Sequence, residues 1–172
     1  MADANLLQKE KKYTYKGYFD PQQTYLFCKD YLKKTKNYTI NERDYDEVNN
    51  SAEQRIFAVV EAEQDYTDYF RNKVTYVITL SGKKTEVVVN GKKTKLVKGV
   101  ASLKAWGNID LDYSERRSKE NLFRKYIDNL YHKFFNKAEL EKCADELQND
   151  ILELIERFKQ ALNSGSVDMR EK

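Results

Sequence analysis

The 172-residue chain is 40% hydrophobic, with 13 Tyr and 8 Phe, enough apolar area for one buried core covering about 70% of the unfolded surface. That aromatic load excludes a disordered chain, which lacks the large apolar groups needed to offset chain entropy. Its net charge of +3, from 31 basic and 28 acidic residues, is mild and interspersed, so a dedicated nucleic-acid binder is not expected.

No run approaches the roughly eighteen apolar residues of a membrane span, and the N-terminal residues lack the charged-then-apolar layout of a signal peptide. Cys28 and Cys143 fall on separate predicted helices with no metal-type spacing, which favours two free, packed thiols in a reducing compartment. A cytoplasmic protein without a membrane span is expected.

Residues 1–10 read as a flexible lead-in. Tyr13, Tyr15 and Phe19 alternate as a first strand, which stops at Asp20-Pro21-Gln22-Gln23. Asp as N-cap, Pro at the first helical position and Gln at the third are a helix start. The helix should run to about Lys34, with Tyr25, Cys28, Tyr31 and Leu32 along one stripe. Lys33, Lys34 and Lys36 suit its negative end.

From Tyr38 to Tyr113 the period is two. Tyr38 and Ile40 begin a charged strand that reads as partly solvated, an edge. Asn49-Asn50-Ser51 predicts a turn, Ile56 to Ala62 a strand, and Asp65 to Asp68 another turn. Val74 to Leu80 is the next strand, with a turn at Ser81-Gly82-Lys83-Lys84 and a short strand at Val87 to Val89. Asn90-Gly91 is a hairpin signal, since both residues tolerate positive φ. The following strand puts Val97, Gly99, Ala101, Leu103, Ala105, Gly107, Ile109 and Leu111 on one face. That inner face is unusually small and needs a bulky cover; Gly99 or Gly107 can also mark a bulge.

A helical rhythm then spans Ser118 to Leu162. Paired apolar residues from Leu122/Phe123 to Phe134/Phe135 make an aromatic stripe suited to the shallow face. Asn136 with Glu139 resembles a capping box and suggests a restart. Leu140, Ala144, Leu147, Ile151, Leu154 and Phe158 step by 4, 3, 4, 3, 4, a heptad stripe. It either continues the packing across the chain's own sheet or seats a partner helix. Residues 163–172 read as a flexible tail.

Catalytic and metal signatures are absent from this pattern. His132 is the sole histidine and sits in the aromatic stretch, where a surface or packing role fits better than a catalytic one. No zinc or EF-hand spacing occurs. Gly82-Lys83-Lys84-Thr85 and Gly91-Lys92-Lys93-Thr94 lack the earlier glycine and strand-to-helix context of a phosphate loop; hairpin turns are the better reading. Glu61, Glu63 and Asp65, like Asp110 and Asp112, alternate with apolar residues, which places them on solvated faces.

The Tyr13–Phe19 strand, the Asp20-Pro21 helix, the Asn90-Gly91 hairpin, the Val97–Leu111 strand and the 118–135 helix occur in an order that resembles the helix-grip arrangement of START/SRPBCC-like proteins. The likeness covers the chain to about residue 135 and rests on order and lengths. It departs in having room for a single helix after the first strand, and in the extension from Asn136 to Leu162. The resemblance implies a curved sheet wrapping the last helix and a cavity for an apolar small molecule or lipid.

The sequence therefore predicts an α+β protein in β-α-β5/6-α order. A curved antiparallel sheet of about six to seven strands packs on a long C-terminal helix, in one domain over 11–162 with 136–162 as a helical extension. The leading functional expectation is a non-enzymatic binding module for a hydrophobic small molecule such as a lipid. Tyr76, Leu103, Trp106, Phe123, Tyr126 and Ile127 would line a pocket between sheet and terminal helix, the tyrosines orienting a polar ligand end. Trp106 has the wrong parity for the inner face unless a bulge shifts the register. The second expectation is self-association or partner-helix binding through Leu140, Leu147, Ile151, Leu154 and Phe158. The third is weak nucleic-acid binding through Lys98, Lys104 and Trp106. No cofactor and no metal is expected.

Overall fold

Asp20 ends the first strand and starts the first helix. Its side chain accepts a hydrogen bond from the Gln23 amide at 3.0 Å, with Pro21 in the first turn, so one orphan amide is satisfied and another is absent by chemistry. The computed structural model describes residues 6–67, 70–89, 91–111 and 136–164. Its elements are β1 (Leu6–Phe19), α1 (Pro21–Asp30), a π-helical turn (Tyr31–Thr35), β2 (Thr39–Asn49), β3 (Glu53–Asp65), β4 (Phe70–Val89), β5 (Lys92–Leu111) and α2 (Asn136–Ser164).

The five strands form one antiparallel sheet in the order β1-β5-β4-β3-β2. Among the described residues the sheet has five strands rather than six or seven, and the difference lies at Ser81-Gly82-Lys83-Lys84, where a turn was expected. No turn occurs there; β4 runs straight through as 20 residues opposite a 20-residue β5. The glycine serves close strand approach instead. Gly17, Gly99 and Gly82 face one another across β1, β5 and β4. A Cβ on Gly99 would overlap the Ser81 carbonyl oxygen, and one on Gly82 would stand 2.7 Å from the Gly99 Cα. Residues 6–10, expected as a loose lead-in, are also strand, pairing with β5 from Leu6 opposite Ile109.

The remaining turns match the expected chemistry. Asn50 Oδ1 accepts from the Ala52 and Glu53 amides at 2.9 and 2.8 Å between β2 and β3, a side-chain mimic of a backbone turn. Gly91 sits at φ +77° between β4 and β5, where an L side chain is strained. Strand β2 is an edge and is exposed along nearly its whole length.

One face of the sheet carries the core. Ile56, Ala58, Val60 and Ala62 of β3, Val74, Tyr76, Ile78 and Leu80 of β4, and Ala101, Leu103, Ala105 and Ile109 of β5 are all fully buried. Helices α1 and α2 cover that face, α2 lying across β1, β5 and β4 and touching α1. Cys143, Leu147, Ile151, Leu154, Phe158 and Leu162 of α2 have 0–1% exposure, so the heptad stripe meets its own sheet. A Cβ on Gly107 would stand 2.9 Å from Leu147 and Ile151 side-chain carbons, so α2 fills the shallow trough at this point. Both cysteines are free and buried. Among the described residues, no helix is long and apolar enough to cross a membrane.

Gly99→Ala should lower stability by about 1–3 kcal/mol, the usual cost of forcing atoms into a filled space. Gly91→Asn, in open space at a φ that Asn tolerates, should cost less than about 1 kcal/mol. Urea unfolding of the two variants checks the contrast.

Candidate functional site

Three backbone irregularities meet at the seam between α1 and β2. The first is the π turn, whose closing bond runs from the Lys36 amide to the Tyr31 carbonyl at 3.3 Å. The second is Asn37, at φ 59°. The third is a β-bulge between Glu42 and Asp44. Each departs from the cheapest local geometry, and such departures gather at binding sites. They border a cleft of about 520 Å³ lined by Lys29, Lys33, Asn37, Tyr38, Thr39, Ile40 and Glu42.

Glu42 is the electrostatic centre of this cleft. Its carboxylate accepts from the Tyr25 hydroxyl and from Lys29 Nζ, the latter at 2.5 Å. Lys29 and then Tyr25 hold its carboxyl below the usual range. Burial, reinforced by Glu42, pushes the Tyr25 hydroxyl well up, so it donates as a neutral phenol. The Tyr25 ring packs on Tyr45 with centroids 5.4 Å apart, and Lys29 Nζ lies 5.9 Å from the Tyr25 ring centre.

Behind this cluster lies Tyr76. Glu42 faces Val60 and Val60 faces Tyr76 across adjacent strands. Tyr76 is wholly buried, and its hydroxyl has no hydrogen-bond partner among the described residues. Burial pushes it well above the phenol range, with Cys28, Tyr25 and Glu42 adding to the effect. The Cys28 thiol is pushed up to about 12 by burial alone. Behind the charged cluster, burial therefore keeps the Tyr76 hydroxyl and the Cys28 thiol neutral.

The far wall is fixed from α2. Tyr38 donates its hydroxyl to Asp150 at 2.9 Å, and Lys36 bridges Asp150 at 2.8 Å and Glu153 at 3.0 Å. Asp150 raises the Lys36 pKa most, with Glu153 adding to it. The carboxylate of Asp150 is only 7% exposed as a residue, yet both its oxygens are engaged, which is what keeps such a group tolerable.

Of the residues expected to line a pocket, Tyr76 and Leu103 lie in the core on neighbouring strands, two positions out of register. Trp106 does not join them. It is on the opposite face, under Lys104 at 5.7 Å, because the β4–β5 register runs unshifted from Phe70–Leu111 to Val89–Lys92 and no bulge reverses its parity. Phe123, Tyr126 and Ile127 lie outside the described residues, as does His132. The expected partner-binding stripe is covered: Leu147, Ile151, Leu154 and Phe158 are buried and Leu140 packs against the same core. Its apolar area is already spent on β1, β4 and β5.

Glu61, Glu63, Asp65 and Asp110 occupy the outward face in ion pairs with Arg43, Arg71 and Lys73; Asp112 lies outside the described residues. Among the described residues no three His, Cys, Asp or Glu side chains form a group that could hold a metal ion. A second cleft of about 520 Å³ lies at the other end of α1, between Asp20, Pro21, Gln54, Lys84 and Lys95. Sequence reasoning missed the Tyr25–Lys29–Glu42 cluster. Its available signal was the four-residue step from Tyr25 to Lys29, which places both on one helix face; the bulge that aims Glu42 at them leaves no mark in composition.

No protein-family model matches the chain, and no curated protein matches it significantly.

The folded-state pKa of Glu42 is depressed, so its contribution to stability is present above the ordinary value of 4.5 and is lost as pH falls through the lower folded value. Urea unfolding should show Glu42→Gln less stable than wild type at pH 7, with the gap closing below pH 4.5. A gap of unchanged size at pH 2 would contradict the assignment.

Proposed function

We propose that the protein is a non-enzymatic binding module. It takes a hydrophobic small molecule, such as a lipid, between the sheet and its helices, through the cleft between α1 and β2. The observation that carries this reading is the buried Tyr76 hydroxyl, without a hydrogen-bond partner among the described residues, in the strand row that begins at Glu42. A buried hydroxyl without a partner costs about 1–3 kcal/mol; a ligand's polar end would recover that and be oriented by it. Lys29 and Lys33 at the mouth suit an anionic or strongly dipolar headgroup.

The helix-grip resemblance supports the same reading. The last helix lies across the sheet face, and the Gly17–Gly99–Gly82 row supplies a place where three strands can bend together, as a sheet curved around a helix requires. The ligand pocket is moved from the α2 side to the α1 side, because Leu147 and Ile151 occupy the trough at Gly107.

Native mass spectrometry of the purified protein, compared with a denaturing spectrum, should show a bound apolar molecule released on unfolding. Tyr76→Phe should weaken its retention about tenfold while stabilising the ligand-free protein by about 1 kcal/mol, since it deletes an orphan hydroxyl. A protein that binds no member of a fatty-acid and lipid panel, and that Tyr76→Phe destabilises, would remove the reading.

A further inference from the structure

The outward face of the sheet divides electrically into two halves. On the β3–β4 half, acids and bases are matched, as in Arg43–Glu61, Arg71–Asp65 and Lys73–Glu63. On the β1–β5 half they are not. Lys12, Lys16, Lys83 and Lys98 have no carboxylate within ion-pair distance among the described residues, and Lys104 has only Glu10, at 2.9 Å. The register sets Lys12 directly opposite Lys104, and Lys83 directly opposite Lys98 on one side and Glu53 on the other. Like charges directly opposite destabilise a sheet, a cost that a bound anion relieves.

The same strip carries two aromatic rings. Tyr18 lies under Lys98 at 5.1 Å and Trp106 under Lys104 at 5.7 Å. Lys98 and Trp106 share one face of β5, roughly 26 Å apart at strand rise. Val100, 38% exposed, and Ser102, whose hydroxyl is 3.4 Å from that of Thr14, lie between them. Beyond the last pairs with β1 and β3, at Val97 and Lys83, the β4–β5 hairpin continues as a two-stranded ribbon, whose Lys84 and Lys95 line the cleft beside Asp20 and Pro21 with Glu86 directly opposite Lys95. Residues 84–96 of this ribbon hold four lysines and one glutamate, a net +3.

We infer that this face binds single-stranded nucleic acid, with phosphates on Lys12, Lys16, Lys83 and Lys98 and bases stacked on Tyr18 and Trp106. Lysines and two rings on one outward face of β1, β5 and β4 supply both elements of sequence-tolerant single-strand binding, charge and stacking platforms. A duplex offers the phosphates but keeps its base faces stacked on one another. The face is the reverse of the one that holds Tyr76, so this inference stands or falls apart from the small-molecule reading.

Trp106 is the only tryptophan, so its fluorescence reports on this site alone. Full-length protein titrated against a labelled fifteen-residue oligothymidine in about 50 mM salt should raise the anisotropy and quench Trp106 in parallel. The affinity should fall linearly in log–log form with salt. Trp106→Ala should weaken binding about tenfold and Trp106→Phe much less. Lys98→Glu should also cost at least about tenfold without lowering the melting temperature, because it removes a like-charge pair. Three results would overturn the inference. One is no anisotropy change at about 100 µM protein, the weak end of non-specific affinity. Another is a duplex or heparin binding as tightly with Trp106 emission unchanged. The third is Lys98→Glu leaving the affinity intact.

Discussion

The structure depends on a mismatch in side-chain size across one interface. The inner face of β5 is built from Ala101, Leu103, Ala105, Gly107 and Ile109, all buried, and so leaves a trough where a sheet of β-branched residues would leave a ridge. Helix α2 answers it with Leu147, Ile151, Leu154 and Phe158. Each such side chain, once buried, contributes about 1.5–3 kcal/mol, and Gly107 lets the helix sit down onto the strand, since a single methyl there would meet Leu147 and Ile151. Nothing comparable holds α2 at its outer surface, which is charged and exposed.

That seating sets the geometry of everything else on the core side. With α2 fixed, Asp150 is positioned to receive Tyr38 and Lys36, and this anchors the segment after the π turn. The Tyr13 ring meets Phe158 edge-on at 6.2 Å, tying β1 to the same helix. The cleft between α1 and β2 is consequently walled by parts that do not depend on one another locally: a helix held by its cap, an edge strand and a loop bolted to α2. Its charged lining is Lys29, Lys33 and Glu42. The outward face of the sheet, by contrast, is free of helices among the described residues and collects the lysines.

Much of the fold was legible in the chain itself. The N-cap at Asp20, the turn at Asn50, the positive φ at Gly91 and the period of two along β5 are local signals, and local chemistry decided them. The α2 stripe was also readable, though not what it would meet. Two failures have the same physical origin. Gly82 in Ser81-Gly82-Lys83-Lys84 looks like a turn glycine, and it is a close-approach glycine, because its partner Gly99 is seventeen residues away and invisible to a local window. The Tyr25–Lys29–Glu42 cluster likewise needs the β2 bulge to exist, and a bulge is a property of strand pairing. Trp106 shows the reverse: its parity alone places it on the outward face, and the unshifted β4–β5 register keeps it there.

The size match between Gly107 and Leu147 is tested most directly by a double-mutant cycle read by urea unfolding. Gly107→Ala alone should cost about 1–3 kcal/mol by overpacking, and Leu147→Ala alone about 2–5 kcal/mol by leaving a cavity. Together, the added methyl enters the space that the leucine vacates, so the pair should cost at least about 1 kcal/mol less than the two single losses combined. Additivity within about 0.5 kcal/mol, the behaviour of residues that do not touch, would mean that α2 is not seated in the trough.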